Sequence, residues 1–105
     1  MIDSETAFEG AIWEVRRDRF RFGEGELVRE YVDHAGSVAV LALDEDDRVV
    51  MLLQYRHSTG TRFWELPAGL RDVDGEDPRA TAQRELAEEV ELAARDWREL
   101  VDYFP

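Results

Sequence analysis

Apolar and polar positions alternate along residues 11–22, where Trp, Ile, Val and Phe are interleaved with Arg, and again along 26–33. In the second stretch Leu27, Arg29 and Tyr31 share one face, and Val28, Glu30 and Val32 the other. This pattern predicts two strands joined by a turn at Gly23, Glu24 and Gly25. Residues 37–43 and 49–55 read differently, as apolar runs of the kind found in strands covered on both faces. The four acids Asp44, Glu45, Asp46 and Asp47 between them predict a hairpin tip. In isolation they suggest a metal site, but turns favour Asp and the strands need a polar break. Residues 56–62 form a polar loop, 63–66 a short strand that Pro67 stops, and 68–77 a loop holding Gly69 and Gly75.

One helix is predicted over 79–90. Asp77 is suited to its N-cap and Pro78 to the first helical position, where a missing N–H costs nothing. Ala82, Leu86 and Val90 recur at i, i+4, i+8, an apolar stripe that seats the helix on a sheet. Residues 98–104 return to a strand pattern. There is no repeat and no low-complexity tract, so the class is α+β.

Charge changes this picture. All 13 basic residues are Arg, against 25 acids, a formal net charge of −12 over 105 residues. Such a polyanion is poorly suited to gripping nucleic acid or an anionic membrane. The size suits one domain, burying roughly two thirds of its unfolded surface. With no Cys, disulfides and thiolate chemistry are excluded. The first ten residues carry acids and no basic residue, unlike a secretory signal, and no apolar run approaches the ~20 residues of a membrane span. The composition predicts a soluble, cytoplasmic protein.

The chemistry concentrates on the helix. Between Asp72 and Glu91 there are eight acids against two arginines, Arg79 and Arg84. Glu85, Glu88 and Glu89 project from neighbouring positions, and a like-charge pair at i, i+4 costs a few tenths of a kcal/mol. A local conflict of this kind is resolved either by a hard divalent cation bound through oxygens or by solvent on an acidic face. The helix alone leaves both open. An EF-hand at Asp72-x-Asp74-Gly75 fails, because Asp77 stands where that loop needs its Gly.

The surroundings go further. Gly69, six residues, Glu76, seven residues, then Arg84-Glu85-Leu86-Ala87-Glu88-Glu89-Val90-Glu91-Leu92 resembles the Nudix box, with eight of its nine specified positions filled. The first spacer is one residue longer than usual, and Glu91 stands where the family has the Gly that ends the helix. The segment Glu65-Leu66-Pro67-Ala68-Gly69 and the preceding Gln54-Tyr55-Arg56 are similar to the ADP-ribose pyrophosphatase branch. The resemblance implies an α/β/α sandwich with a mixed sheet, incomplete after residue 105. It divides the chain into N-terminal antiparallel strands at 1–35, a dimer-exchange element, and a partial Nudix domain at 36–105 with the box at 69–92.

By the same resemblance, Glu85 and Glu89 are the principal Mg²⁺ ligands, with Mn²⁺ able to substitute. Glu88 contributes directly or through water, and the Ala68 carbonyl completes the shell. Glu88, Glu89 and Arg84 carry catalysis, Arg84 by orienting the glutamates, and Glu76 is either structural or stands just outside the ligand shell. Arg29, Glu30, Arg56 and Glu65 bind the substrate, those on the early strand reaching a partner subunit. Trp13, Tyr31 and Trp64 are apt to stack on adenine but fit packing better, and His34 and His57 have no catalytic role. The implied activity is Mg²⁺-dependent cleavage of a nucleoside diphosphate sugar, ADP-ribose foremost, by a homodimer. On this reading the 105-residue chain is truncated and inactive. The alternative is a non-catalytic Nudix-like module that binds a nucleotide metabolite or a protein partner.

Overall fold

A computed structural model describes residues 1–104; Pro105 lies outside them. The chain divides into two compact units, Met1–Ala35 and Gly36–Pro105.

The first unit is a three-stranded antiparallel sheet in the order β1 (Asp3–Glu9), β2 (Glu14–Phe22), β3 (Gly25–Asp33). The β2–β3 hairpin follows the predicted alternation, turning at Gly23, whose φ of 62° suits a residue without a Cβ. β1 is an addition to the prediction. Its seven residues are all exposed, so no alternation advertises it, and pairing with β2 holds it in place. Asp18 is only 7% exposed. Opposite Ser4 and Arg29 in register, it accepts hydrogen bonds from Ser4 Oγ at 2.6 Å and Tyr31 Oη at 3.1 Å. On the other face Arg17 bridges Glu5, at 2.9 Å, and Glu30, at 2.6 Å.

The second unit contains β4 (Ser37–Ala39), β5 (Leu52–Arg56), β6 (Thr61–Glu65), β7 (Ala68–Leu70) and α1 (Pro78–Val90). β4 pairs with β7 and β5 with β6, both antiparallel. The two apolar runs make shorter strands than expected, because they are not covered on both faces. Val40 is buried, but Leu41, Leu43, Val49, Met51 and Leu53 are exposed. Their hairpin survives as a bridge between Leu43 and Val49, with Asp44 N–H donating to the Arg48 carbonyl at 3.0 Å. At its tip the Asp44 carboxylate accepts the Asp46 N–H at 2.8 Å, the Arg48 N–H at 3.0 Å and Arg48 Nε at 2.7 Å, as a solvated turn requires. The Arg48 N–H leads in holding that carboxyl below its ordinary pKa.

Two further differences follow from non-local pairing. The loop expected at 68–77 begins with a strand, β7, because β4 lies alongside it. The strand expected at 98–104 does not form. Leu100, Val101, Tyr103 and Phe104 are exposed, and no strand among the described residues pairs with them. The core is Val40, Ala82 and Leu86, flanked by Val38, Ala42, Val90 and Trp97. The stripe read from the helix is thus its packing face.

Candidate active site

α1 starts where the sequence places it, with Pro78 first and Asp77 extended at the N-cap. The Asp77 side chain makes no capping bond, however. The first turn is secured by Thr81, which is fully buried. Its Oγ donates to Glu76 Oε1 at 2.7 Å, and its N–H donates to the Asp77 carbonyl at 3.0 Å. At the other end Glu91 takes the left-handed conformation, φ 55° and ψ 35°, and its N–H reaches the Ala87 carbonyl at 3.0 Å. The helix therefore ends where a Gly would end it, at a conformational cost of about 1–2 kcal/mol for a residue with a Cβ.

Arg84 stands among four carboxylates. Its Nη2 lies 3.1 Å from Glu76 and 4.0 Å from Asp72; its Nη1 lies 3.1 Å from Glu85 and 3.4 Å from Glu88. Glu76, then Glu88 and Glu85, raise its pKa, and Arg84 followed by Thr81 holds the Glu76 carboxyl low. Glu85 behaves oppositely: burial pushes its carboxyl up, against the pull of Arg84.

Burial has a visible origin. A Cβ on Gly69 would fall 2.1 Å from the Glu85 carboxyl carbon, so the glutamate lies flat on glycine backbone. Glu89 reaches the same segment, its Oε2 accepting the Ala68 N–H at 3.0 Å. The segment is itself fixed, since Pro67 is buried and its carbonyl accepts the Val40 N–H at 2.8 Å. α1 and β7 thus bring Glu85, Glu89, Ala68 and Gly69 together, with Glu88 one turn along and more exposed. Among the described residues no three His, Cys, Asp or Glu converge as a metal-holding group, Glu85 and Glu88 being turned to Arg84. The donor set is nevertheless oxygen only, the kind a hard divalent cation takes.

The remaining candidates belong to other elements than the helix. Arg56 Nε donates to Glu65 Oε1 at 2.8 Å, and its Nη2 donates to Oε2 of the same carboxylate. Each shifts the other's pKa as ion partners do, Arg56 up and Glu65 down. Arg29 and Glu30 belong to the first unit. Arg29 Nη1 donates to the Val28 carbonyl at 2.8 Å, and Glu30 is held by Arg17. Trp64 is exposed, Trp13 lies 5.3 Å from the His34 ring, and His57 meets the Tyr55 hydroxyl at 3.2 Å.

The NUDIX domain model matches residues 33–105. The chain belongs to the Nudix family. It is 54% identical over 102 residues to an ADP-ribose pyrophosphatase of Mycobacterium tuberculosis, covering 96% of this chain and 49% of that protein. A Bacillus subtilis ADP-ribose pyrophosphatase is 32% identical over 104 residues, covering 98% of this chain and 56% of that one. A methanol dehydrogenase activator of Bacillus methanolicus is 38% identical over 99 residues, covering 91% and 53%. Among solved structures, an ADP compounds hydrolase superposes with a TM-score of 0.72 at 28% identity, covering 90% of this chain and 52% of that one. The chain spans about half the length of these relatives. Its α+β architecture is that of the Nudix fold. No helix among the described residues is long and apolar enough to cross a membrane.

Both departures from the Nudix box are absorbed locally. The longer spacer falls in the loop before α1, where Gly75 has φ 74° and the Glu76 N–H closes a turn onto the Val73 carbonyl at 3.2 Å. Sequence reasoning missed Thr81, although a single hydroxyl residue in the first turn of an Ala, Leu and Glu helix was a signal. It also missed Asp72 as a fourth neighbour of Arg84, which nothing in the local pattern marks.

Proposed function

We propose that the protein is a Mg²⁺-dependent hydrolase that cleaves the pyrophosphate of a nucleoside diphosphate sugar, ADP-ribose foremost, giving AMP and ribose 5-phosphate. The observation that carries this reading is Glu85 and Glu89 laid against Ala68 and Gly69, with Arg84 behind them. Identity of 54% to an ADP-ribose pyrophosphatase supports the substrate. Glu85, Glu88 and Glu89 would hold Mg²⁺, or Mn²⁺ in its place, with the Ala68 carbonyl as a further oxygen. When bound, the ion screens the carboxylates from the pyrophosphate and activates water.

The chain's own residues supply the rest. Glu88 is more exposed than Glu85, and its Oε2 is held only at 3.4 Å by Arg84, so it suits accepting a proton from the attacking water. Arg84 orients Glu85 and Glu88 from behind. Arg56 offers a planar, permanently charged fork for phosphate oxygens. The reading extends to a cytoplasmic homodimer in which residues 1–35 exchange between protomers and bring Arg29 and Glu30 to the partner's substrate.

The test is a Mn²⁺ titration followed by water relaxation, beside hydrolysis rates on ADP-ribose, other nucleotide sugars and an oxidised triphosphate. Specific Mn²⁺ binding should weaken sharply in Glu89→Gln and Glu85→Gln, and ADP-ribose should be cut fastest. Unchanged Mn²⁺ binding would sink the ligand assignment, and faster triphosphate hydrolysis would sink the substrate. A second reading, a module acting on another protein, draws on the relative named as a methanol dehydrogenase activator. The retained Arg84, Glu85, Glu88 and Glu89 favour the hydrolase.

A further inference from the structure

Arg56 and Glu65 stand at opposite ends of one hairpin. In the β5–β6 register Arg56 faces Thr61, Gln54 faces Phe63, and Leu52 faces Glu65, so all six residues lie on one face of the ladder. Four residues of β6 separate the two ends, roughly 13 Å at ~3.3 Å per residue. The two side chains close that gap by running along the face toward each other, meeting in the paired hydrogen bonds from Arg56 Nε and Nη2.

The two ends differ in firmness. Glu65 leads directly into the segment anchored by buried Pro67 and by the Ala68 N–H bond to Glu89. Arg56 ends β5 at an exposed turn, where its carbonyl takes the Thr59 N–H at 3.2 Å and Thr59 Oγ at 3.1 Å. Left alone, its long side chain would sample solvent at the tip. Tied to Glu65, it is held along the hairpin face by two hydrogen bonds to one carboxylate. The Nη1 amine makes no hydrogen bond among the described residues.

We infer that Glu65 is a positioning residue: its carboxylate tethers the Arg56 guanidinium along the hairpin face and leaves the Nη1 edge of the fork for a phosphate of the nucleotide substrate. Glu65 therefore acts through Arg56 instead of touching the ligand. A guanidinium can serve a carboxylate on one edge and a phosphate on another, whereas an ammonium cannot do so in fixed geometry. This inference rests on the pyrophosphate reading above.

The experiment measures KM and kcat for ADP-ribose with Mg²⁺, in the protein as it occurs, for Glu65→Gln, Arg56→Lys and the double variant. The Arg56 Nε–H resonance is followed in the wild type and in Glu65→Gln. Losing a charge-assisted pair should raise KM about tenfold in Glu65→Gln while kcat stays within about threefold. Arg56→Lys should raise KM as well, and adding Glu65→Gln to it should change KM by less than about twofold. Additive effects in the double variant would mean that Glu65 meets the ligand itself, and would overturn the inference. If the wild type does not hydrolyse ADP-ribose, the substrate reading fails and the resonance decides the tether. An Nε–H protected from exchange in the wild type and averaged in Glu65→Gln upholds it; identical behaviour in both overturns it.

Discussion

The two units of this chain are stabilised by opposite means. Met1–Ala35 has long strands in a three-stranded ladder, with a register shift between Thr6 and Phe8, yet its one buried residue among those described is a carboxylate, Asp18. From Gly36 on the strands are short and fall into separate pairs, yet a helix packs Ala82 and Leu86 against Val40. Backbone pairing and a polar network define the first unit, and apolar burial under α1 defines the second. Order along a ladder and depth of core are thus independent quantities, and the candidate catalytic groups sit where the core is.

The contrast can be broken most forcefully at Leu86, which is 1% exposed. Leu86→Ala should cost about 2–5 kcal/mol. Amide exchange should accelerate throughout α1, β4 and β7 while β1–β3 keep their protection. Loss of protection in both units together would show that they unfold as one.

Gly69→Ala should affect function more than folding. The new Cβ would overlap the Glu85 carboxyl, so that flexible side chain must swing away. Stability should fall by about 1–3 kcal/mol, while on the proposed hydrolase reading turnover of ADP-ribose by the protein as it occurs falls ~100-fold through the displaced carboxylate. Steady-state rates and a thermal melt on the same sample separate the two effects.

In the first unit the sharpening substitution is Asp18→Ala, which strands the Ser4 and Tyr31 hydroxyls. Both hydroxyls belong to exposed residues and can turn to water, so the cost is the net worth of the lost hydrogen bonds, about 0.5–1.5 kcal/mol each. β1 should lose amide protection first, because Ser4 is its tie to Asp18. An unchanged exchange profile would show that the ladder alone suffices.

The smallest expected effect is a difference in pH response. Glu76 is held below its ordinary value of 4.5, first by Arg84 and then by Thr81. Its stabilisation is complete above that value and is lost as pH falls through the lower folded pKa. Tyr31 is raised above 10.0, chiefly by its bond to Asp18, so its contribution is present below that value and lost as pH rises through the folded pKa. Two-dimensional NMR spectra at stepped pH should show the second unit loosening in acid and the first in alkali. Glu76→Gln should weaken the acid response, to which Asp44 and Glu65 also contribute, and leave the alkaline one unchanged.

How much of this was legible in the sequence depended on distance along the chain. The helix was, because Asp77, Pro78 and the Ala82–Leu86–Val90 stripe are local signals. β2 and β3 were, because alternation is local too. β1 and β7 were not: the first is exposed throughout and the second is three residues long, and each exists because of a neighbour remote in sequence. The converse error came at 98–104, where a strand-like pattern found nothing to pair with. In the site, Arg84 and the glutamates could be read from spacing. The contact of Glu85 with Gly69 could not, since it depends on how β7 meets α1.

That contact also constrains the order in which substitutions can accumulate. While Glu85 is present, position 69 cannot enlarge without pushing the carboxylate aside. If Glu85 were first exchanged for a smaller residue, the space above position 69 would open and alanine or serine could settle there without penalty. From then on, restoring Glu85 alone would return it to an occupied place, and its function would not come back. A lineage that lost the glutamate and then filled the glycine would have closed the route behind it, two ordinary single steps that are reversible only as a pair.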